Sequence, residues 1–242
     1  MSSLPELYYT QANLLLEKAW KESQSVLTQA TPYLGKCIAS GGVVHTFGSG
    51  HSEMVSREVI GRAGGLACVS GIVDPTEGFI ENLAGYGTKL AERYDRRHEL
   101  RAGEVIIVIS NSGRNASPID VALYAKKKGL TVIVITSVAM SKQSTSCHES
   151  GKRLFEVADY VLDNQGVLGD ALVDLGDGIK GGPTSTFIGS SQINWLILAA
   201  LEWLKANGHT MPILRSQNLP GAIEQNRILA SRYKGRISMQ LA

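Results

Sequence analysis

The stretch from Val105 to Pro118 constrains this chain most. It reads Val-Ile-Ile-Val-Ile-Ser-Asn-Ser-Gly-Arg-Asn-Ala-Ser-Pro. From Glu104 to Ile109 a short β-branched apolar run shows no alternation, as expected of a strand buried on both faces of a parallel sheet. Polarity then reverses, and Ser110, Asn111, Ser112 and Gly113 form a tight polar turn. From Ser117 to Lys128 the spacing is helical: Ile119, Ala122, Leu123 and Ala125 share a face, and Lys126 to Lys128 occupy the last turn. A strand therefore feeds a hydroxyl-rich turn that opens on a helix N-terminus. Such a mouth attracts anions, because the first N–H groups of a helix lack partners and the positive end of its dipole points at the turn. A helix cap at Asn115 or Ser117 accounts for one polar residue. The density of Ser110, Asn111, Ser112, Asn115 and Ser117 argues for a ligand site.

The same construction occurs earlier. A strand over Gly42–Phe47 delivers Gly48-Ser49-Gly50-His51-Ser52 to a short helix over Glu53–Gly61. Glycines let backbone approach a ligand closely, and Ser49 and Ser52 add neutral donors. No Lys-Ser/Thr follows, as a P-loop requires. The third glycine and the acidic residue of a dinucleotide fingerprint are also missing. A third polar strand end, Thr136-Ser137, closes the strand Thr131–Thr136.

The remaining chain reads as follows. Leu4–Leu34 is a helix that Pro32 ends or breaks. Leu66–Ile72 is a strand. Thr76–Lys89 has the makings of a helix opened by Thr76 or Glu77, but Gly78, Gly85 and Gly87 argue for irregularity, and Arg93–Gly103 is a charged connection. Ser141–Ser150 is a loop or short helix, and Tyr160–Asp163 a short strand. Gln165–Pro183 is a functional loop or a small extra strand. Thr184–Asn207 is a helix apolar nearly all round, as at a dimer interface or in a central layer. The tail places Asn218, Glu224, Asn226 and Arg227 before a last basic helix. This α/β alternation predicts a doubly wound, five-stranded parallel sheet in a three-layer αβα fold. One domain is expected over 1–242, with a core at 37–204, an N-terminal helix at 4–34 and a helical tail at 209–242.

A chain of 242 residues with 43% hydrophobic residues and a net charge of +2 expects a packed core and no nucleic-acid partner. Arg93, Arg96, Arg97 and Arg101 read as a solvated loop. Cys37, Cys68 and Cys147 are widely spaced and form no CxxC or Cys/His ligand pattern, so neither a disulfide framework nor a metal site is expected. No cofactor motif is present. No N-terminal basic segment precedes an apolar run, and no apolar run approaches the roughly 18 residues of a membrane span. The expectation is a soluble, cytoplasmic protein.

The turns Gly-Ser-Gly-His-Ser and Ser-Asn-Ser-Gly, with the Thr136-Ser137 strand end, resemble those of the SIS (sugar isomerase) domain over roughly Cys37 to Leu204. Ser-Asn-Ser-Gly-Arg-Asn-Ala, Gly-Pro-Thr-Ser-Thr and Tyr-Lys-Gly-Arg-Ile further resemble the stand-alone UPF0309 group. Phosphoheptose isomerases and N-acetylmuramic acid 6-phosphate etherases are more distant relatives. The resemblance implies a sugar-phosphate site at the C-terminal strand ends, with Ser52, Ser110 and Ser112 holding the phosphate. Ser49, Gly50, Asn111 and Ser137 are secondary candidates. Asn115 stands where the family commonly has Ser or Thr, and an amide can still donate.

For chemistry, Glu58-Val59-Ile60-Gly61-Arg62 resembles a glutamate-bearing segment of the phosphoheptose isomerases, and Glu77-Gly78 a Glu-Gly pair of the etherases. Moving a proton between C1 and C2 of an open-chain sugar needs a base of near-neutral pKa, and a buried carboxylate can supply one. Glu58 is the first choice, with Glu77 and His51 behind it. A surface pairing of Glu58 with Arg57 or Arg62 is the plain alternative. His45 is expected to be structural, and His98 and His148 exposed. The helix Thr184–Asn207 contains no His, unlike the isomerase relatives. Three functions remain open: an aldose–ketose isomerase, an amino-sugar phosphate lyase, deaminase or epimerase, and a non-catalytic phosphosugar sensor. A homodimer or homotetramer is expected.

Overall fold

The computed structural model describes residues 2–238. In chain order the elements are α1 (Leu4–Ala39), β1 (Val44–Gly48), α2 (Ser52–Arg57), β2 (Val69–Ile72), α3 (Tyr86–His98), β3 (Val105–Ile109), α4 (Ala116–Lys127), β4 (Thr131–Thr136), α5 (Val138–Lys142), α6 (Leu154–Val157) and β5 (Tyr160–Asp163). A 3-10 turn (Leu168–Asp170), β6 (Val173–Gly176), β7 (Ile179–Gly181), α7 (Ser185–Ala206) and α8 (Ala222–Ser231) complete it. Residues 239–242, the end of the expected tail, lie outside the described residues.

The first five strands form one parallel sheet in the order β2-β1-β3-β4-β5. Every residue of β1 and β3 is buried, which explains the unbroken apolar sequence of β3; β1 buries the polar His45 and Thr46 as well. Alternate residues feed opposite layers. Val105, Ile107 and Ile109 pack with α1, α2 and α7, while Ile106 and Val108 pack with α3, α4 and α6. The expected doubly wound, three-layer fold is therefore present. The chain leaves β1 towards β2 on one side, and β3 then lies on the other side of β1. The crevice above the C-terminal ends of β1 and β3 is the topological switch point at which such sheets bind ligands.

Several local expectations need correction. Pro32 does not end α1, which continues to Ala39. A proline removes one helical hydrogen bond, but Leu34, Cys37 and Ile38 beyond it are buried in the core, and that packing carries the helix on. Of the two readings of Thr76–Lys89, the irregular one holds up to Gly85. Positive φ at Glu77, Gly78 and Gly85 breaks it into turns, and α3 starts only at Tyr86. Arg93, Arg96 and Arg97 accordingly lie on α3 rather than in a loop. Gln165–Pro183 contains the 3-10 turn and the antiparallel β6–β7 hairpin. In the tail, Glu224, Asn226 and Arg227 lie within α8 rather than before a last helix.

At the start of the sheet, away from the crevice, a buried polar network ties the tail down. His45 Nε2 lies 3.0 Å from Glu104 Oε2, and its Nδ1 lies 2.8 Å from Tyr94 Oη. Arg236 donates to Glu104 Oε1 at 2.7 Å and to the carbonyls of His98 and Glu99. His45 is thus structural, as expected. His98 is half-buried against Tyr94 rather than exposed.

Candidate functional site

The turn after β1 is close-packed. A Cβ on Gly48 would lie 2.4 Å from the carbonyl oxygen of Ser52, so only glycine allows α2 to start this close to the strand. Ser49 is buried, Ser52 is half-buried and His51 is exposed. The turn after β3 places Ser110 in the core with its Oγ accepting from Gly113 N at 3.3 Å. Ser112 and Asn115 are half-buried at its rim. Among the described residues, the hydroxyls of Ser52 and Ser112 have no protein hydrogen-bond partner, so both remain open to a ligand.

The segment between β2 and α3, residues 73–85, straps the two turns together. Its base is Asp74, whose carboxylate accepts from Thr76 N at 2.9 Å, Thr76 Oγ1 at 2.7 Å, Gly78 N at 3.1 Å and Tyr86 Oη at 2.7 Å. Burial alone would raise the Asp74 carboxyl, but hydrogen bonds from Tyr86, Thr76 and Gly78 outweigh it and hold the group below its ordinary value. The strap then runs over the first turn. At Gly78, φ is +88°, and a Cβ there would meet Gly50 N at 2.8 Å.

The tip of the strap is Glu81. Its Oε2 accepts from Ser49 Oγ in the first turn, and its Oε1 accepts from Asn115 Nδ2 in the second at 2.6 Å. The Glu81 carbonyl accepts from Ser117 N and Oγ at 2.8 and 2.9 Å, and Asn82 Oδ1 accepts from Ala116 N at 3.1 Å. The strap therefore caps α4 with groups that the sequence does not put next to it. Two of the N–H groups expected to face a ligand already have protein partners. Neither Glu81 nor Asn82 carries a local signal, because their contacts span more than thirty residues. Asp74 does carry one: an Asp ahead of Thr76 that bonds the backbone two residues on is an Asx turn.

The other candidates are placed as follows. Gly50, with φ +55°, lies against the Glu77 carbonyl, and Glu77 itself is exposed. Glu58 stands past the far end of α2, where it forms an ion pair with Arg62. Asn111 Oδ1 accepts from Asn164 Nδ2 at 2.9 Å, and its amide reaches Met140 Sδ. Ser137 is fully buried; its hydroxyl donates to the Gly166 carbonyl at 2.6 Å and caps α5 through Met140 N. Asn111 and Ser137 thus brace the floor of the second turn. His148 is not exposed: its side chain packs beside Asp120, with Nε2 3.4 Å from Oδ1. Arg114 donates to Cys147 Sγ at 3.1 Å. Among the described residues no group of three His, Cys, Asp or Glu could hold a metal ion.

A family model described as the SIS domain matches residues 7–137. The UPF0309 protein of Shouchella clausii is 38% identical, with 97% of this chain and 98% of the relative covered. The chain belongs to the SIS-domain family and, within it, to the UPF0309 group. Among solved structures, the phosphoheptose isomerase from Francisella tularensis superposes on the SIS-domain chain with a TM-score of 0.57. It is 14% identical, covering 83% of this chain and 98% of that one. The Vibrio vulnificus NanR protein complexed with ManNAc-6P gives 0.52 at 13% identity, covering 99% of this chain and 72% of that one. At such identities both likenesses speak for the fold alone. Among the described residues no helix is long and apolar enough to cross a membrane.

Proposed function

We propose that this SIS-domain protein binds the phosphate of a small sugar phosphate between the β1 and β3 turns and moves a proton between C1 and C2 of the open-chain sugar, an aldose–ketose isomerisation. The observation that carries this reading is the pair of unpartnered hydroxyls, Ser52 and Ser112, on two turns that the strap holds together at the switch point. Neutral donors and a helix N-terminus suit a monophosphate. Ser110 and the backbone of Gly50 complete the cradle. Of the candidate bases, Glu77 is the preferred one, because its backbone carbonyl lies next to Gly50 of the first turn and the residue is exposed. His51, in the first turn, is the companion acid. Glu58 is held by Arg62 and takes the role only if that pair opens.

The test is a thermal-shift screen of pentose, hexose, heptose and N-acetyl amino-sugar phosphates, followed by turnover of those that bind. Stabilisation with solvent deuterium entering at C2 supports the isomerase. Stabilisation without turnover of any of them favours the sensor reading, for which the full-length superposition on NanR is the motive. Stabilisation by none of them overturns the site.

The second copy expected from the sequence is assigned to the α1–α7 face. There Trp20 is 45% and Leu198 63% exposed, flanking a groove of about 490 Å3 that Trp195 and Trp203 also line. Apolar surface of this kind marks an association site. Sedimentation at micromolar concentration reads it directly: a 26.0 kDa species contradicts the assignment, and Leu198→Glu should convert a dimer to that species.

A further inference from the structure

Glu81 sets an anionic side chain against donors on both turns of the proposed phosphate site. Ser49 Oγ and Asn115 Nδ2 belong one to each turn, and both donate to its carboxylate. Among the described residues no Lys, Arg or His forms an ion pair with Glu81. The surrounding charges are engaged elsewhere or face solvent. Asp74 is bonded within the strap, Glu53 is paired with Arg57, and Arg114 is turned to Cys147. His51 and Glu77 are exposed. The Glu81 carboxylate thus engages one donor from each turn.

We propose that Glu81 determines the specificity of this site for the charge state of its ligand, and that anion binding is coupled to the uptake of one proton at Glu81. This rests on the reading of the two turns as a phosphate site. When a doubly charged anion enters, Ser49 Oγ–H and Asn115 Nδ2–H swing from Glu81 to the anion. A carboxylate left beside a second anion has its proton affinity raised. A proton from solvent then settles on a Glu81 oxygen, and the resulting O–H donates to the anion. No bond to carbon or phosphorus changes, and the only species consumed is the proton. The consequence is a site that accepts a dianion reluctantly at high pH and readily at low pH.

Sulfate is the clean probe, because it keeps both charges between pH 5 and pH 8. Isothermal titration with sulfate should show wild-type affinity weakening with rising pH, by at most about tenfold per pH unit for one linked proton. Titrations in buffers of different ionisation enthalpy should show the proton taken up. Glu81→Gln keeps the shape and one acceptor for the strap. It should bind sulfate more tightly than wild type at pH 8, with a flattened pH profile and no Glu81 proton. His51→Gln is the control, since a histidine in the first turn would give a slope of the same sign. If His51→Gln abolishes the slope and Glu81→Gln retains it, the proposal is wrong. The same holds if wild type and Glu81→Gln bind with equal affinity and equal slope. Failure of both proteins to bind sulfate or any sugar phosphate overturns the phosphate site itself, a separate result. Matching melting temperatures certify that Glu81→Gln is folded, and Glu81→Asp, with its shorter reach, should fall between the two.

Discussion

His45 and Glu104 meet 3.0 Å apart at the start of the sheet, both buried. Burial lowers the imidazole below its ordinary 6.5, against the pull of Glu104, and so favours its neutral form in the fold. Burial also opposes ionisation of Glu104, but hydrogen bonds from His45, Arg101 N–H and Arg236 overcome it and hold the carboxyl at about 2. Both shifts act in one direction. Below pH 6.5 the unfolded chain takes up a proton on His45 that the fold refuses. Below 4.5, the ordinary value for Glu104, it takes up a second. Stability should therefore be highest near neutrality, decline below 6.5 and fall more steeply between 4.5 and about 2. Urea denaturation at a series of pH values measures this. Glu104→Gln should remove the steep lower limb, and an unchanged limb would assign it to other carboxylates.

Arg236 reaches the same carboxylate from the tail, at 2.7 Å, with both side chains largely buried. Removing one member of a buried ion pair leaves the other uncompensated, typically at about 3–5 kcal/mol. Arg236→Met should accordingly lower the unfolding free energy by about 3 kcal/mol. Its effect should shrink in a Glu104→Gln background, because the stranded charge is gone. Additive losses in the double mutant would mean that the two residues act independently.

Asp74 is the hinge post of the strap. Asp74→Ala deletes four acceptor contacts at once, and donors left without partners cost about 1–3 kcal/mol. The loss should be local. Hydrogen exchange should quicken across residues 73–85, and protease should cut near Phe79, which is 92% exposed, while the sheet amides stay protected. Because the Asp74 pKa is depressed, the strap keeps its order above the ordinary value of 3.8 and loses it as pH falls below. Unchanged exchange in this segment would show that Glu81 and Asn82 hold the strap alone.

What could be read from the residues follows the range of the forces involved. Val105–Ile109 and the turn behind it are legible because burial on both faces and helix opening are encoded within a dozen neighbouring positions. The turn at Gly48–Ser52 is legible for the same reason. Pro32 misleads, since a local penalty is outweighed by the burial of Leu34 and Ile38 several residues on. The irregular stretch before α3 is foreshadowed by Gly78 and Gly85, which adopt positive φ, although the spacing alone does not fix where the helix starts. Glu81 is invisible for a different reason. Its partners Ser49 and Asn115 are distant in sequence, and only the crossing of the strap over the switch point brings them together. Ser137 has the right residue type at the right strand end, yet its hydroxyl is turned inward to Gly166, a choice decided by packing.

The chemistry separates by variant. Glu77→Gln retains shape and removes the carboxylate of the proposed base, so turnover should fall by about 10²–10⁴-fold, the usual contribution of a general base. Sugar-phosphate affinity should change little, because the phosphate is held by other groups. Ser112→Ala should do the opposite and raise KM first, since an anchoring contact remote from C1 and C2 mainly fixes the substrate for reaction. Glu58→Gln should leave turnover near wild type if the Arg62 pair is all that Glu58 makes. Deuterium from solvent at C2 distinguishes the cases: present with wild type and Glu58→Gln, nearly absent with Glu77→Gln. Should Glu77→Gln exchange normally while Glu58→Gln does not, the base is Glu58, just past α2, and the ion pair with Arg62 must open during the catalytic cycle.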